Sequence, residues 1–200
     1  MQTDRTTRME RLFQVQTRAV EAPGEDAIQQ ELYVEGYAVR FDSPTVLFEY
    51  SGTEYKEQID RHAFDGALME DVIFNYNHGG KVLARTRNDT LWLTVDDNGV
   101  FVRARLDGTE EGRRLYEEIA GGYIDRMSFS FTVREEGYDE SEHLWTIYKV
   151  KRLYDVSAVD IPAYDDTSIA ARRAAVEDRQ RERQAALTLD KHKLALKCKL

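Results

Sequence analysis

The chain has 200 residues, 42% of them hydrophobic, and a formal net charge of −9. This length suits one globular domain with an appended segment, because domains typically hold about 100–200 residues. The acidic balance argues against a general nucleic-acid binder, which carries a basic patch that displaces counterions from phosphates.

The sequence carries no signal for export or membrane insertion. The N-terminal stretch "MQTDRTTRMERLF" has no apolar segment of the kind found in export signals, and no stretch approaches the ~20 apolar residues of a membrane span. The single cysteine, Cys198, leaves no partner for an intramolecular disulfide. We therefore expect a cytosolic protein without membrane association.

The first third of the chain predicts two strands and one short helix. The segments "RLFQVQTRA" (11–19) and "ELYVEGYAVRF" (31–41) have the composition of strands, with a turn around Pro23-Gly24 between them. Apolar side chains fall on both faces of the second segment, which predicts a strand covered on both sides. The segment "DRHAFDGALME" (60–70) has an acidic start and apolar residues near helical spacing, and therefore predicts a helix.

The middle of the chain carries the clearest local signals. The segment "DVIFNYNH" (71–78) predicts a strand that ends at Gly79-Gly80. In "LWLTVDDNGVFVRAR" (91–105), apolar residues alternate on both sides of an Asp-Asp-Asn-Gly turn, which predicts a β-hairpin. The segment "TEEGRRLYEEIAGG" (109–122) begins with Thr and two Glu and closes on two Gly, which are start and stop signals of a helix.

The last third contains further strands and then a change of composition. The segment "YIDRMSFSF" (123–131) predicts one strand, and "HLWTIYKVKRLYDVSAVDIPAY" (143–164) supplies one or two more, broken by Pro162. We therefore assign the folded domain to residues 12–165. Residues 166–200, rich in Arg, Ala, Glu and Gln, are predicted to form a charged, helix-prone tail that packs weakly or not at all.

Together these segments predict a mostly-β or α+β fold. About seven strands with two short inserted helices favour an antiparallel sheet that closes into a barrel. The irregular alternation of strands and helices argues against a parallel Rossmann-like sheet. No pair of His or Cys has metal-ligand spacing and no phosphate-binding glycine loop is present, so we expect neither a metal nor a cofactor.

Two serines stand two places apart in "YIDRMSFSF". Because side chains alternate across a strand, Ser128 and Ser130 share one face, opposite a face that carries Met127 and aromatic residues. On alternation alone, the favoured interpretation is an exposed and inert hydroxyl face. A serine becomes a nucleophile when a base lies within about 2.6–3.2 Å of its hydroxyl and a third group orients that base.

Among the four histidines, His78 is the best candidate base. His192 lies in the tail, His143 in a polar run and His62 in the predicted helix. His78 ends an apolar strand directly before two glycines, where an imidazole can face a cleft. Taken alone, it would be interpreted as a partly buried histidine with a structural hydrogen bond.

Two carboxylates in "LYDVSAVDIPAY" are candidates for the orienting group. Asp155 and Asp160 lie on opposite faces of the predicted strand, and each stands among apolar residues. A carboxylate in such surroundings needs a partner that offsets its desolvation. A structural salt bridge explains either residue as well as catalysis does, and the residues alone do not choose between them.

The order of several segments resembles the tailed-phage prohead maturation proteases, which are related to the herpesvirus assembly proteases. The matching segments are "VEGYAVRFDSPT", "EQIDRHAFDGAL", the stretch from "FNYNHGG" to "MSFSFTV", and "LYDVSAVDIPAYDDTSI". Together they cover roughly residues 12–170. Their combination in this order is much more specific than any single motif.

The resemblance implies a serine endopeptidase on a closed antiparallel barrel. It implies His78 as the general base and Ser128, the first serine of "MSF", as the nucleophile. The family's "EVS" segment is "DVS" here, which implies Asp155 as the third member, although herpesvirus relatives use a second histidine in that role. Ser130 stands where family members commonly have glycine.

Several groups are candidates for the hydrogen-bond donor that would stabilise the oxyanion. Arg126 lies two residues before the candidate nucleophile, and Arg172-Arg173 lie in the segment that follows the predicted domain. Backbone N–H groups are equally suitable donors.

The resemblance also implies a substrate class and a location. The enzyme would cleave extensions of the phage major capsid protein and the scaffold through an acyl-enzyme, inside the assembling procapsid in the host cytoplasm. Neither nucleic acid nor membrane is an expected partner. A homo-oligomer is compatible with the sequence, which does not determine the oligomeric state. The alternative is a catalytically silent β-barrel that acts as a scaffold or capsid-assembly module.

Overall fold

The computed structural model of the protein describes residues 8–13, 18–23, 30–160 and 167–197. The strands in these ranges are β1 (Met9–Phe13), β2 (Arg18–Pro23), β3 (Gln30–Arg40), β4 (Thr45–Tyr50), β5 (Thr53–Ile59), β6 (Ile73–Tyr76), β7 (Gly79–Arg85), β8 (Leu91–Asp96), β9 (Gly99–Arg105), β10 (Arg126–Asp139) and β11 (Leu144–Val159). The helices are a short 3-10 helix at Thr86–Asn88, α1 (Glu110–Ala120) and α2 (Thr167–Lys197). The fold is therefore mostly β with few helices, as predicted.

The larger sheet is built around the long antiparallel pair β10–β11. Its main path has the order β1-β10-β11-β5-β4. The outer edge of β11 is shared by two strands, because β5 runs parallel to its first residues and β6 runs parallel to its last ones. The expectation of an antiparallel sheet is therefore wrong for these two strand pairs. Neither β5 nor β6 is joined to β11 by a tight hairpin, so the connections allow a parallel direction.

The smaller sheet has the order β2-β3-β9-β8 and is antiparallel throughout. The predicted hairpin is β8–β9. Its turn is fixed by Asp96, whose carboxylate accepts hydrogen bonds from Asn98 N at 2.7 Å and Gly99 N at 3.0 Å. Glycine is required at the end of this turn, since a Cβ on Gly99 would lie 1.9 Å from the carbonyl oxygen of Val39.

One large core lies between the two sheets and α1. Its fully buried members include Val34, Phe74, Val100, Val102, Phe129, Phe131, Ile147 and Leu153. Both β3 and β10 bury residues on both of their faces, as the apolar pattern of the first of them predicted. Within the described ranges neither sheet closes on itself, so the expected closed barrel is not confirmed.

The helix predicted for residues 109–122 is present as α1. The hydroxyl of Thr109 accepts a hydrogen bond from Gly112 N at 3.0 Å, which caps the first turn. Leu115 and Ile119 face the core, and the chain leaves the helix at two consecutive glycines.

The helix predicted for residues 60–70 is absent. The backbone there forms a series of turns, in which carboxylate and carbonyl oxygens of Asp60 accept from the next N–H groups. Gly66 has a φ of +76°, which lies outside the helical region. Ala63 and Phe64, whose spacing suggested a helix, are buried as turn residues.

One hairpin was not predicted, and some of the predicted features involve residues that the structure does not describe. The hairpin β4–β5, whose strands are joined at Ser51-Gly52, was not predicted. Gly24, Pro162 and Cys198 lie outside the described residues, and so do residues 14–17 in the middle of the first predicted strand.

The C-terminal segment forms α2, and its first turns pack closely on the larger sheet. Arg172 is buried in ion pairs with Glu57 and Glu136, and Val176 is buried in a small aromatic cluster. The side chains of residues 181–188 are exposed. The expectation of weak packing is therefore wrong for the first turns of this helix.

Candidate active site

His78 lies in a two-residue turn between β6 and β7. Asn77 and His78 have φ values of 50° and 54°, and positive φ at both central residues is typical of the tightest hairpin turns. Asp160 fixes this turn, because its carboxylate accepts from Asn77 Nδ2 at 3.0 Å and from Tyr76 Oη at 2.6 Å. The expectation that His78 is the last residue of this strand is therefore wrong, since β6 ends at Tyr76, although the imidazole does face β10 and β11.

Ser128 and Ser130 lie on β10, where Ser128 is paired with Ser157 and Ser130 with Asp155 of β11. The two hydroxyls share a face, as alternation predicted. That face is buried, with Ser128 4% exposed and Ser130 0% exposed. An exposed hydroxyl face is therefore wrong, because the His78 turn and the residue before β1 cover it.

The structure brings together the three residues that the sequence analysis singled out. His78 Nε2 lies 2.5 Å from Ser128 Oγ, and His78 Nδ1 lies 2.6 Å from Asp155 Oδ1. The carboxylate is fully buried and the imidazole nearly so. When Nδ1–H donates to the carboxylate, Nε2 is left as an acceptor for the serine hydroxyl. In this arrangement a proton can pass from the serine to the imidazole.

Asp160, the other candidate carboxylate, serves the backbone turn instead. Its two oxygens accept from the side chains that flank the turn, and its own N–H lies 3.4 Å from Asn77 Oδ1. Asp155 holds the imidazole and Asp160 holds the loop that carries it.

Two further polar residues surround the imidazole. Ser157 Oγ lies 3.1 Å from His78 Nδ1 and 3.0 Å from Asp155 Oδ1, and it accepts a hydrogen bond from His78 N at 3.2 Å. Its hydroxyl also contacts Asn75 Oδ1. The sequence analysis did not single out either residue. Ser157 could have been found, because it lies two places after Asp155 and so shares its face.

The hydroxyl of Ser128 has a second acceptor within reach. The carbonyl oxygen of Arg11, on the neighbouring strand β1, lies 3.0 Å from Ser128 Oγ. A hydroxyl has one hydrogen, so it bonds either this carbonyl or His78 at a given moment. The conformer bonded to His78 is the one suited to proton transfer.

Arg8, immediately before β1, contacts the side of Asp155 that His78 leaves free. Its guanidinium donates to Asp155 Oδ2 and to Ser130 Oγ. It also lies over the ring of Tyr154, 5.0 Å from the ring centre. No local pattern indicated Arg8, because it reaches the site through the long-range pairing of β1 with β10.

The other sequence candidates occupy different surroundings. Arg172 is engaged by two buried glutamates, and half-exposed Arg173 is paired with Glu177 one turn further along α2. Arg126 lies 3.5 Å from Asp125 at the start of β10. His62 is exposed beside an aspartate, and His143 Nδ1 lies 3.2 Å from a tyrosine hydroxyl. The side chain of His192 lies outside the described residues.

In the part of the chain that the structure describes, no helix combines the length and apolar character needed to cross a membrane. Nor do three or more His, Cys, Asp or Glu side chains gather there in a way that could hold a metal ion.

Comparison with known proteins identifies the family. Residues 14–182 match the family model described as caudovirus prohead serine protease. Among solved structures, the chain is similar to the capsid assembly protease gp21 of bacteriophage T4, with 16% identity, a TM-score of 0.45, and coverage of 73% of this chain and 97% of that one. No curated protein matches the sequence. Since the family model spans most of the chain, including Ser128, His78 and Asp155, the protein belongs to the caudovirus prohead serine proteases and is a peptidase.

Proposed function

We propose that this chain is the endopeptidase that cleaves the scaffold and the extensions of the major capsid protein inside the assembling procapsid, in the host cytoplasm. The observation that carries the proposal is the continuous series of contacts from Ser128 through His78 to Asp155. Membership in a family of prohead proteases supports the substrate class.

In the proposed mechanism, Ser128 is the nucleophile and His78 the general base. As Ser128 Oγ bonds to the scissile carbonyl carbon, its proton passes to His78 Nε2 and the carbonyl oxygen becomes an oxyanion. When this intermediate collapses, the peptide C–N bond breaks and the imidazolium gives its proton to the leaving amine. An ester between Ser128 and the acyl half of the substrate remains.

Water completes the cycle by the same route. His78 takes a proton from the water as the water oxygen bonds to the ester carbon. The C–O bond to Ser128 then breaks, and the proton returns to Ser128 Oγ. The acyl half leaves as a carboxylic acid.

Asp155 acts through the imidazole. Its buried carboxylate, 2.6 Å from Nδ1, keeps the proton on that nitrogen and leaves Nε2 as the acceptor. It also stabilises the imidazolium that forms in each step, because its Oδ1 accepts the Nδ1–H in a site that is shielded from water.

The proposal is tested by co-expression with the cognate major capsid protein. Ser128→Ala is expected to abolish cleavage of the capsid protein, detected as the loss of the shortened product by intact mass. Ser141→Ala, which removes an exposed hydroxyl in the β10–β11 turn, is the matched control and is expected to leave cleavage intact.

A comparison with the neighbouring serine makes the assignment specific. Ser130→Ala is expected to retain product formation, because the Ser130 hydroxyl faces Arg8 and not the imidazole. Undiminished cleavage by Ser128→Ala would overturn the assignment, and abolished cleavage by Ser130→Ala alone would transfer it to Ser130.

A further inference from the structure

Asp155 is a buried carboxylate with two differently occupied oxygens. Oδ1 faces His78 and Ser157, whereas Oδ2 accepts from Arg8. Asp155 has no exposed surface, while the side chain of Arg8 is 46% exposed. The positive charge that compensates the carboxylate therefore comes from Arg8, a partly exposed residue outside the Ser128–His78–Asp155 series.

The sheet register places Arg8 at this point. β1 pairs with β10 so that Glu10 lies opposite Ser130, and Ser130 lies opposite Asp155 on the next strand. The guanidinium spans the two adjacent strands by donating to Ser130 and Asp155 at once. The hydroxyl of Ser130 therefore helps to hold Arg8 in the orientation that reaches the carboxylate.

Burying a carboxylate without a nearby cation costs free energy. Such a carboxylate favours the protonated, positively charged form of a neighbouring basic group. With Arg8 present, the charges of guanidinium and carboxylate offset each other and the imidazole can remain neutral. Without Arg8, protonation of His78 would supply the missing positive charge. A protonated imidazole cannot accept the proton of Ser128.

We propose that Arg8 is a positioning residue that neutralises Asp155 and thereby keeps His78 available as a base at lower pH. This inference rests on the proposed function, because it gives Arg8 a role in the reaction of Ser128. Arg8 contacts neither reacting atom and acts only through Asp155.

Other charged and titratable groups lie near Arg8 and Asp155, and the substitution of Arg8 leaves them unchanged. Glu10 lies on the same face of β1, opposite Ser130. Tyr76 of β6 and Asp160 after β11 bond each other beside the turn that carries His78, and Tyr154 of β11 lies beneath the Arg8 guanidinium. Arg8, by contrast, contacts Asp155 Oδ2 directly.

The test measures the rate of Ser128 phosphonylation by a fluorophosphonate from pH 5 to 9 in the full-length protein. In Arg8→Gln, the midpoint of the acid limb is expected to move up by about 1 pH unit or more, because the loss of the guanidinium leaves the Asp155 carboxylate to favour the imidazolium of His78. At a pH below both midpoints, the second-order rate constant is then about tenfold lower, and near pH 9 it approaches the wild-type value.

Two matched variants separate charge from structure. Arg8→Lys keeps the positive charge, and its midpoint is expected to lie close to that of wild type. Arg152→Gln removes a guanidinium that lies over the same Tyr154 ring, 5.2 Å from its centre, and is expected to move the midpoint by less than about 0.3 unit. Equal midpoints in wild type and Arg8→Gln, or equal shifts in Arg8→Gln and Arg152→Gln, would overturn the inference.

A second readout does not depend on enzyme activity. The protonation midpoint of the His78 ring, followed by NMR of ¹⁵N-labelled histidine and assigned with His78→Gln, is expected to rise in Arg8→Gln by the same amount. If wild-type Ser128 does not react at all, the proposed function fails, but the His78 titration still decides the role of Arg8. An unchanged titration would contradict that role whatever the activity.

Discussion

At the scale of single residues, the site is arranged around one fully buried carboxylate. Asp155 faces His78 with one oxygen and Arg8 with the other, and Ser157 lies 3.0 Å from the oxygen that His78 uses. A carboxylate held from both sides has little freedom to rotate. Its position therefore fixes the tautomer and the direction of the imidazole.

Asp155→Asn tests this arrangement. The amide has nearly the same shape, but it cannot stabilise an imidazolium and can present an N–H to Nδ1, which favours the tautomer that is protonated on Nε2. The rate of Ser128 phosphonylation at pH 8 is expected to fall by about 10⁴-fold, the scale seen for such a change in a serine–histidine–aspartate site.

The matched control is Asp125→Asn, which changes an exposed aspartate three residues before Ser128. Its rate is expected to stay within about twofold of wild type. A rate for Asp155→Asn that is also close to wild type would remove Asp155 from the mechanism.

At the scale of elements, local patterns predicted the hairpin β8–β9, the helix α1 and the shared face of the two serines. Each of these depends on neighbours in the sequence, such as Asp96 in its turn and Thr109 at its helix start. The helix expected for residues 60–70 is absent because spacing alone cannot distinguish a helix from turns that bury Ala63 and Phe64.

The turn that carries His78 shows a second limit of local patterns. Its left-handed residues are stabilised by Asp160, which lies far along the chain. The sequence singled out His78 as a candidate base, through its place before two glycines and through the family resemblance. It could not indicate the turn, because the residue that fixes it becomes a neighbour only through the pairing of β6 with β11.

A buried ion cluster joins three elements on the other face of β1. Glu57 of β5 is paired with Arg11 of β1 and with Arg172 of α2. Burial raises the pKa of the Glu57 carboxyl, but the two guanidinium groups outweigh this effect, so its pKa lies below the ordinary value of 4.5. The cluster therefore stabilises the fold above that pH, and the contribution is lost as the pH falls through the lowered pKa.

Arg172→Met tests the cluster as a clamp for α2. Removing one partner of a buried ion pair is expected to lower the free energy of unfolding by about 3 kcal/mol at pH 7, measured by urea denaturation. The difference from wild type is expected to shrink as the pH falls below about 4, since the protonated Glu57 no longer needs a cation.

The control is Arg173→Met, which removes a half-exposed arginine paired with Glu177 one turn along α2. Such surface pairs contribute little, and a change below about 1 kcal/mol is expected. Equal effects of the two substitutions, or a penalty for Arg172→Met that is the same at pH 7 and pH 3, would contradict the clamp.

At the scale of the whole molecule, the site and the ion cluster that holds α2 both use residues from the N-terminal segment of the described chain. The N-terminal segment contributes β1 to the larger sheet, where it pairs with β10, and β2 to the smaller sheet. Arg8 of this segment contacts Asp155 in the site, and Arg11 contacts Glu57 in the ion cluster that holds α2. The match to the family model begins at residue 14, so both arginines lie before it.

The overall prediction from sequence was therefore uneven. The mostly-β class and the residues Ser128, His78 and Asp155 came from strand alternation combined with the order of family segments. The parallel pairing of β11 and the contact of Arg8 with Asp155 could not be predicted, because both depend on which distant strands become neighbours.

The most direct test of the central claim is to identify the serine that reacts. After treatment of the full-length protein with a fluorophosphonate, peptide mapping by mass spectrometry is expected to show one adduct, on Ser128, that is absent from His78→Gln. An adduct on Ser130 or Ser157 in place of Ser128, or cleavage of the capsid protein by Ser128→Ala, would contradict the claim that Ser128, activated by His78, is the nucleophile.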